Sequence, residues 1–145
     1  MARFSLVIDA SVAVKWFSTL GEAGVPQAVS ILENIGLNDI NVLVPDLLFY
    51  ELANAFLHKK ALSQEEVQTA LSNMFTLSLK IIPVGFKLLS TSTRLARQSG
   101  ITVYDACYAA IAVDSGCPLV TANPRHQNKE LGCQVIPIEE WKIPD

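Results

Sequence analysis

Short apolar runs rich in β-branched residues alternate along this chain with longer segments whose apolar positions recur at helical spacing. The short runs predict five buried strands, at residues 5–8, 41–44, 79–84, 118–121 and 134–138. The longer segments predict five helices, at residues 26–35, 46–61, 63–77, 86–98 and 102–115. Alternating strands and helices without hairpin turn signals favour a parallel sheet covered by helices on both faces. The pattern therefore predicts an α/β fold, a three-layer α/β/α sandwich.

The ends of several predicted helices carry residues that favour a helix start or stop. Ser63 and Thr102 each begin a capping-box pattern, in which the residue three positions further on reaches back to the backbone. Gly100 and Gly116 follow two predicted helices, where glycine can adopt the left-handed conformation that ends a helix. Asp46, which follows a proline, is interpreted as the cap of the helix at 46–61.

Size and composition favour one globular domain. A chain of 145 residues with 50% hydrophobic and 17% charged residues can bury one substantial core, so we expect a single domain over residues 1–145. No apolar run is long enough to span a membrane, and the short run after Arg3 does not form a signal-peptide core. We therefore expect the protein to stay in the cytoplasm. Its cysteines lack CxxC spacing, so neither a disulfide framework nor a zinc site is predicted.

The net charge argues mildly against nucleic acid as a partner. A formal charge of −3 provides no overall attraction for a polyanion. Any nucleic acid would therefore have to be held by a local basic patch or through a bound metal ion.

Asp9 directly follows the first predicted strand, at the end of the sheet where open α/β folds bind their ligands. One interpretation is a ligand-binding carboxylate. The other is an N-cap for the following helix, which is a very common role for aspartate. The local sequence leaves both interpretations open.

Two further acids lie in strongly apolar helices. Glu51 is flanked by apolar residues, and a buried ionised glutamate needs a cation, a hydrogen-bond donor or a raised pKa. Asp105 has similar surroundings, although its place in the Thr102 capping box also allows a purely structural role. Together with Asp9, these acids form the oxygen-rich ligand set that suits Mg²⁺ or Mn²⁺ better than zinc.

Four segments of the chain resemble, in the same order, the motifs of the PIN-domain family. They are VIDASV at 7–12, PDLLFYELANA at 45–55, YDACYAA at 104–110 and LVTAN at 119–123. The resemblance spans nearly the whole chain, and within the family the chain is similar to the VapC-type toxins of prokaryotic toxin–antitoxin pairs. It implies a hydrolase, a ribonuclease that cleaves RNA phosphodiesters with Mg²⁺ or Mn²⁺ as its cofactor.

The resemblance also implies roles for individual residues. Family members carry acids at the positions of Asp9, Glu51 and Asp105, which implies that these three are the catalytic and metal-binding residues. Ser11 and Thr121 match hydroxyls that support the site in the family. A role in helix capping is the alternative for both hydroxyls.

Asn123 departs from the family pattern, because a fourth aspartate is usual at that position. Its carbonyl oxygen is a neutral supporting ligand, so the site has one negative charge fewer. We therefore expect weaker metal binding or the loss of a second metal site. The departure leaves an alternative function open, in which a PIN fold with weakened cleavage acts as an RNA-binding or partner-binding module.

The resemblance further implies three partners: an RNA substrate, a second copy of the chain in a homodimer, and a small antitoxin protein. We hypothesise that the apolar helices at 46–61 and 63–77 form the dimer or antitoxin face. The same residues are also expected if these helices only cover the sheet.

Several other polar residues are candidates for the site or its rim. Four cations are hypothesised to contact phosphate groups: Lys15, Arg94, Arg97 and Arg125. His58 and His126 are left without a role and are expected at the surface or with satisfied hydrogen bonds, because metal-activated water needs no histidine base. Asp114 is expected to face solvent, since it lies about half a turn around the helix from Asp105.

Two other classes of α/β protein fit less well. A dinucleotide-binding domain requires GxGxxG after the first strand, but no glycine occurs before Gly21. A haloacid-dehalogenase-like phosphatase requires a second aspartate two residues after Asp9, where this chain has Ser11.

Overall fold

Five parallel strands form the sheet of the computed structural model, which describes residues 4–17, 22–58, 62–127 and 129–145. The strands are β1 (Phe4–Ile8), β2 (Ile40–Pro45), β3 (Lys80–Ile82), β4 (Leu119–Thr121) and β5 (Val135–Pro137). Their order across the sheet is β3-β2-β1-β4-β5, and every neighbouring pair is parallel. The five predicted strands and their parallel arrangement are confirmed.

Five main helices connect these strands. They are α2 (Val25–Gly36), α3 (Leu47–Leu57), α4 (Gln64–Thr76), α5 (Phe86–Ser99) and α6 (Val103–Ser115), and each matches a predicted helix. The helix predicted at 46–61 ends at Leu57, and residues 59–61 of that prediction lie outside the described residues. Two helices have a single turn: α1 (Ala10–Ala13), whose start after Asp9 the sequence indicated, and α7 (Pro124–Gln127), which was not predicted. Short 3₁₀ turns at Val14–Phe17 and Ile138–Glu140 complete the described elements.

The helices cover both faces of the sheet. The crossover from β1 to β2 and the crossover from β3 to β4 run in opposite directions across the sheet. Because such crossovers are right-handed, their helices lie on opposite faces. On one face α2 packs against β2, and on the other α6 packs across β1, β2 and β4 with α5 beside it. The predicted α/β/α sandwich is therefore confirmed.

The central strand β1 is where the chain order reverses, since β2 lies on one side of it and β4 on the other. Leu6, Val7 and Ile8 of this strand are buried in the core, and Asp9 follows them at its carboxyl end. In open parallel sheets this crevice between two diverging crossovers is the usual place for a ligand. Within the described part of the chain, no helix is both long and apolar enough to cross a bilayer.

Most of the predicted helix ends are confirmed. The hydroxyls of Ser63 and Thr102 accept the backbone N–H groups of the third residue beyond them, at 3.2 and 3.1 Å. Gly100 and Gly116 end their helices in the left-handed conformation, with φ of 66° and 65°. The prediction for Asp46 was wrong: it precedes α3, but its backbone is already helical and its side chain makes no capping hydrogen bond. A capping side chain needs the extended backbone that Ser63 and Thr102 have.

Two glycine substitutions test these helix ends. We expect Gly116→Ala to destabilise the protein by about 1–2 kcal/mol, because an alanine Cβ disfavours the left-handed conformation even though space is available for it. Gly36→Ala is the matched control, because Gly36 lies in the last turn of α2 with open space at its Cβ. There we expect a gain of about 0.4–1 kcal/mol from the less flexible unfolded chain. Urea unfolding measures both, and equal effects would contradict the assigned conformations.

Candidate active site

Asp9 lies almost entirely inside the protein, with 4% of its surface exposed, at the junction of β1 and α1. Its Oδ1 accepts the backbone N–H of Ser11 at 3.1 Å and also the Ser11 hydroxyl. Its Oδ2 accepts the Thr121 hydroxyl at 2.5 Å. Asp9 is thus the N-cap of α1, as the structural interpretation predicted, and the same carboxylate is bonded across the sheet to the end of β4.

Ser11 and Thr121 join the ends of β1 and β4 around this carboxylate. The Ser11 hydroxyl accepts the N–H of Ala122 at 2.9 Å, and the Thr121 hydroxyl accepts the N–H of Asn123 at 3.0 Å. Each hydroxyl therefore donates its proton to Asp9 and accepts a backbone N–H from the segment after β4. Both side chains hold Asp9 in one orientation, so the described contacts of these hydroxyls go beyond helix capping.

Glu51 is half-buried on α3. The Tyr108 hydroxyl, which projects from α6, donates a hydrogen bond to Glu51 Oε1 at 2.5 Å. Burial raises the pKa of Glu51 above its ordinary value against the lowering effect of this hydrogen bond, and the Asp9 and Asp105 carboxylates raise that pKa further. The sequence predicted that this acid needs a partner, but it did not identify Tyr108.

Asp105 lies in the first turn of α6, and 27% of its side chain is exposed. Its backbone N–H bonds to Thr102, as the capping box requires. Its carboxylate points towards His126, with Oδ2 at 3.4 Å from Nε2. The backbone N–H of Asp105 therefore takes part in the helix cap, while its carboxylate faces His126.

His126 lies between the two aspartates, with only 3% of its surface exposed. Its Nδ1 is 3.5 Å from Asp9 Oδ2, and its Nε2 is 3.4 Å from Asp105 Oδ2. The adjacent Asp9 carboxylate raises the pKa of His126 above its ordinary value, although burial opposes this effect. The expectation of a surface or hydrogen-bonded histidine was wrong for His126. Its position three residues after Asn123, just beyond β4, was the sequence signal that could have placed it at this edge of the sheet.

The side-chain oxygen of Asn123 forms its hydrogen bonds at the start of the short helix α7. Its Oδ1 accepts the backbone N–H of Arg125 at 3.0 Å and the Arg125 Nε–H at 3.4 Å. Its backbone carbonyl accepts the N–H of His126 at 3.1 Å. The neutral carbonyl expected to support the site therefore accepts hydrogen bonds from Arg125 in α7, the short helix that also contains His126.

The donor groups of this pocket suit a divalent cation. Three carboxylates and an imidazole lie at the carboxyl edge of the sheet: His126 is between Asp9 and Asp105, and both carboxylates raise the pKa of Glu51. A cation would relieve that repulsion. Within the described residues, however, no three acidic, histidine or cysteine side chains are close enough together to enclose one ion. The residues present fit a cation in their chemistry, and water or substrate oxygens must complete its coordination.

Two basic residues lie beside this pocket. An open depression of about 580 Å³ is lined by Asp105, His126, Arg125 and Lys129 together with residues 100–102. Of the cations predicted to contact phosphate, Arg125 is therefore well placed, and Lys129 was missed. Its ammonium group donates to the carbonyl of Ser99 at 3.1 Å.

The other predicted cations lie elsewhere. Lys15 donates to the Ala23 carbonyl at 2.7 Å and forms an ion pair with Glu22 at 3.5 Å. Arg94 and Arg97 are exposed on α5 and do not line the depression. His58 is exposed at the end of α3, and Asp114 is exposed on α6, both as expected.

A larger cavity, of about 760 Å³, lies at the opposite edge of the sheet, beside the first residues of β1 and β5. Its lining includes one acid among the described residues, Glu140. The depression at the carboxyl edge is smaller, but it is lined by Asp105 and by His126, and His126 also faces the buried Asp9. The chemistry of the lining therefore favours the carboxyl edge as the active site.

The sequence profile of the PIN domain matches residues 6–130. Because that match covers most of the 145 residues, the chain belongs to the PIN-domain family. PIN domains are generally nucleases. No curated protein sequence matches the chain significantly.

Solved structures share this fold at low sequence identity. PAE2754 from Pyrobaculum aerophilum is 23% identical with a TM-score of 0.67, over 92% of this chain and 84% of that chain. VapBC2 from Rickettsia felis, bound to a DNA fragment from its promoter, is 18% identical with a TM-score of 0.67, over 90% and 96%. A toxin–antitoxin complex from Klebsiella pneumoniae is 17% identical with a TM-score of 0.68, over 94% and 99%.

The raised pKa of Glu51 predicts a pH-dependent effect of Glu51→Gln in metal-free protein. An acid whose pKa is higher in the folded state is more easily ionised after unfolding, so its ionisation destabilises the fold above that pKa. Glutamine keeps an oxygen for Tyr108 and stays neutral. We therefore expect Glu51→Gln to raise the melting temperature by a few degrees at about pH 8, and to lose that advantage towards about pH 3, where Glu51 is mostly protonated in both states.

Circular dichroism melts in a chelator measure this difference across the pH range. The matched control is Glu33→Gln, which neutralises an exposed acid on α2. A constant difference between Glu51→Gln and wild type at every pH would contradict the assigned environment of Glu51.

Proposed function

We propose that this protein is a divalent-metal-dependent endoribonuclease that hydrolyses RNA phosphodiesters and acts as the toxin of a type II toxin–antitoxin pair. The observation that carries the proposal is that Asp9 and Asp105 lie on either side of His126 at the carboxyl end of β1, with Glu51 near enough for both carboxylates to raise its pKa. Membership of the PIN-domain family supports the nuclease part of the proposal. The choice of RNA and of a toxin role rests on the resemblance of the motifs.

Asp9, Glu51 and Asp105 are the residues that would hold the cation, Mg²⁺ or Mn²⁺. When bound, this cation would supply an activated water for in-line attack on a phosphodiester and would neutralise developing negative charge. Carboxylates are the ligands that both ions favour, and water completes the coordination of Mg²⁺ in most protein sites.

The neighbouring side chains hold the acids ready for this role. Ser11 and Thr121 restrict Asp9 through three hydrogen bonds from two segments of the chain. Tyr108 restricts Glu51 and leaves its Oε2 free of that bond. Supporting hydrogen bonds of this kind orient metal ligands, and their loss typically weakens metal affinity by about 10–100-fold.

Arg125 and Lys129 provide the local positive charge that an overall acidic protein needs in order to bind RNA. Both line the depression into which Asp105 and His126 open. Contacts of this kind position a phosphate backbone without reading its sequence. They would place a scissile phosphate beside the acids.

A small antitoxin and a second copy of the chain are the proposed protein partners, in the cytoplasm. Two of the structurally similar proteins were solved as VapBC2 and as a toxin–antitoxin complex. The faces of α3 and α4 are the proposed docking surface, because Tyr50 is 76% exposed and Phe75 is 65% exposed while it stacks on Phe49. Large exposed aromatic groups of this kind favour a partner.

A binding module without cleavage is the second candidate function, and Asn123 favours it. The position lacks the usual acid, and its side-chain oxygen is already bonded to Arg125. Such a protein would still bind RNA or a partner through the same pocket. It would not cut RNA at a useful rate.

An RNA cleavage assay with matched aspartate variants tests the proposed function. We expect wild type to cut single-stranded or structured RNA with Mn²⁺ or Mg²⁺ and to stop in a chelator. Asp9→Asn and Asp105→Asn should reduce the rate by at least about 100-fold, because each removes a charged metal ligand. Asp114→Asn, on the same helix as Asp105 but exposed, should cut normally.

Asn123→Asp separates the two candidate functions in the same assay. A wild-type protein that cuts, and cuts faster as Asn123→Asp, supports the nuclease. An inert wild type with an active Asn123→Asp variant supports the binding module. Cleavage that survives Asp9→Asn and Asp105→Asn together would contradict the assigned site.

A further inference from the structure

Four exposed hydrophobic side chains lie close together around the start of α5. Val84, Leu89 and Tyr104 are exposed and line one pocket of about 200 Å³. Phe86 begins α5 three residues before Leu89, and residues at that spacing are neighbours on the surface of a helix. Val84, Phe86, Leu89 and Tyr104 together form the α5 patch. None of the four belongs to the proposed active site or to the docking surface on α3 and α4.

The α5 patch is large enough for a protein interface. Phe86 is 89% exposed and Tyr104 is 66% exposed. An aromatic side chain can bury about 150–250 Å², so these two residues alone present roughly 300 Å². With Val84 and Leu89, the patch approaches the about 600 Å² per partner at the lower end of specific interfaces. Apolar patches of this size on soluble proteins commonly mark interaction sites.

The α5 patch contains both a protruding group and a recess. Phe86 projects into solvent from the first turn of α5, and it does not line the pocket of its own chain. That pocket is lined mainly by aliphatic side chains. In a two-fold dimer both copies use the same surface, so a group on one copy can fill a recess on the other, and symmetry repeats the contact. A protruding ring beside an apolar recess therefore suits a second copy of this chain.

The charges around the α5 patch are also complementary to each other. Lys87 follows Phe86 and is exposed, and Asp46, directly before α3, is exposed and lines the pocket. Among the described residues, neither side chain takes part in an ion pair. A Phe86 ring that enters the pocket of another copy carries Lys87 towards the Asp46 of that copy. Opposite charges placed in this way favour association and fix the orientation of the two copies.

We infer that the α5 patch is the face on which two copies of this chain associate, with Phe86 of each copy seated in the apolar pocket of the other. The inference rests on the homodimer of the proposed function and gives that homodimer a surface, but it needs neither the cation nor RNA. The exposed side chains of α3 and α4 then remain for the antitoxin.

Sedimentation equilibrium of the metal-free full-length protein measures the association. We expect wild type to sediment as a dimer, at twice the 15.8 kDa of one chain. Phe86→Asp should weaken association by at least about 100-fold, because it removes an aromatic anchor that occurs twice in a two-fold interface. The variant should stay folded, since an aspartate in the first turn of a helix is favourable. Leu57→Asp is the matched control and should remain a dimer, because Leu57 is 71% exposed on α3, outside the α5 patch.

Nuclear Overhauser spectroscopy on mixed wild-type copies tests the contact without any variant. Half of the copies are deuterated and carry ¹³C-labelled leucine and valine methyl groups, and the other half are deuterated except for their phenylalanine rings. Contacts between the two labels arise only across the interface. We expect the Phe86 ring to contact the methyl groups of Leu88 and Val103, which line the pocket. A dimer whose contacts between the labels exclude Phe86 would overturn the inference.

The outcomes separate this inference from the nuclease part of the proposed function. A wild type that stays monomeric at about 100 µM would overturn the inference, as would a dimer that dissociates in Leu57→Asp but persists in Phe86→Asp. If such a protein still cuts RNA with Mn²⁺, the nuclease stands and the dimer face fails. If a dimer that depends on Phe86 forms but does not cut RNA, the dimer face stands and the nuclease fails.

Discussion

The concentration of negative charge at the carboxyl end of β1 is the constraint on which the rest of the site depends. Asp9 is buried there because the strand before it is the central strand of the sheet and is packed on both faces. A buried carboxylate is costly unless donors or a cation compensate it. The hydroxyls of Ser11 and Thr121 provide part of that compensation and also join the ends of β1 and β4.

Glu51 and Asp105 add to this negative charge from two helices, and each carboxylate is stabilised in a different way. Glu51 receives the Tyr108 hydroxyl and has a raised pKa, while Asp105 stays partly exposed beside His126. Donors, solvent and an imidazole therefore stabilise the acids in the metal-free protein. A bound cation would take over part of this stabilisation of the acids. The affinity for the metal therefore depends on the same interactions that stabilise the metal-free site.

The sequence predicted the architecture and the three acids because both depend on local pattern. Apolar runs identified the strands, and the position of Asp9 directly after the first strand placed it at the reversal of strand order. The contacts of Tyr108 and His126 with the acids were not predicted, because they depend on how α6 and α7 pack around the end of β1. Asp46 was assigned wrongly as a cap, since the pattern does not specify its backbone conformation.

The central claim is that a divalent cation binds among these acids, and crystallography with manganese tests it most directly. Crystals of the full chain grown with Mn²⁺ would be measured at the manganese absorption edge, where an anomalous difference map locates the ion. The account predicts a peak at coordination distance from the Asp105 carboxylate, in the pocket it shares with Asp9 and Glu51. Peaks found only elsewhere on the protein, at saturating Mn²⁺, would contradict it.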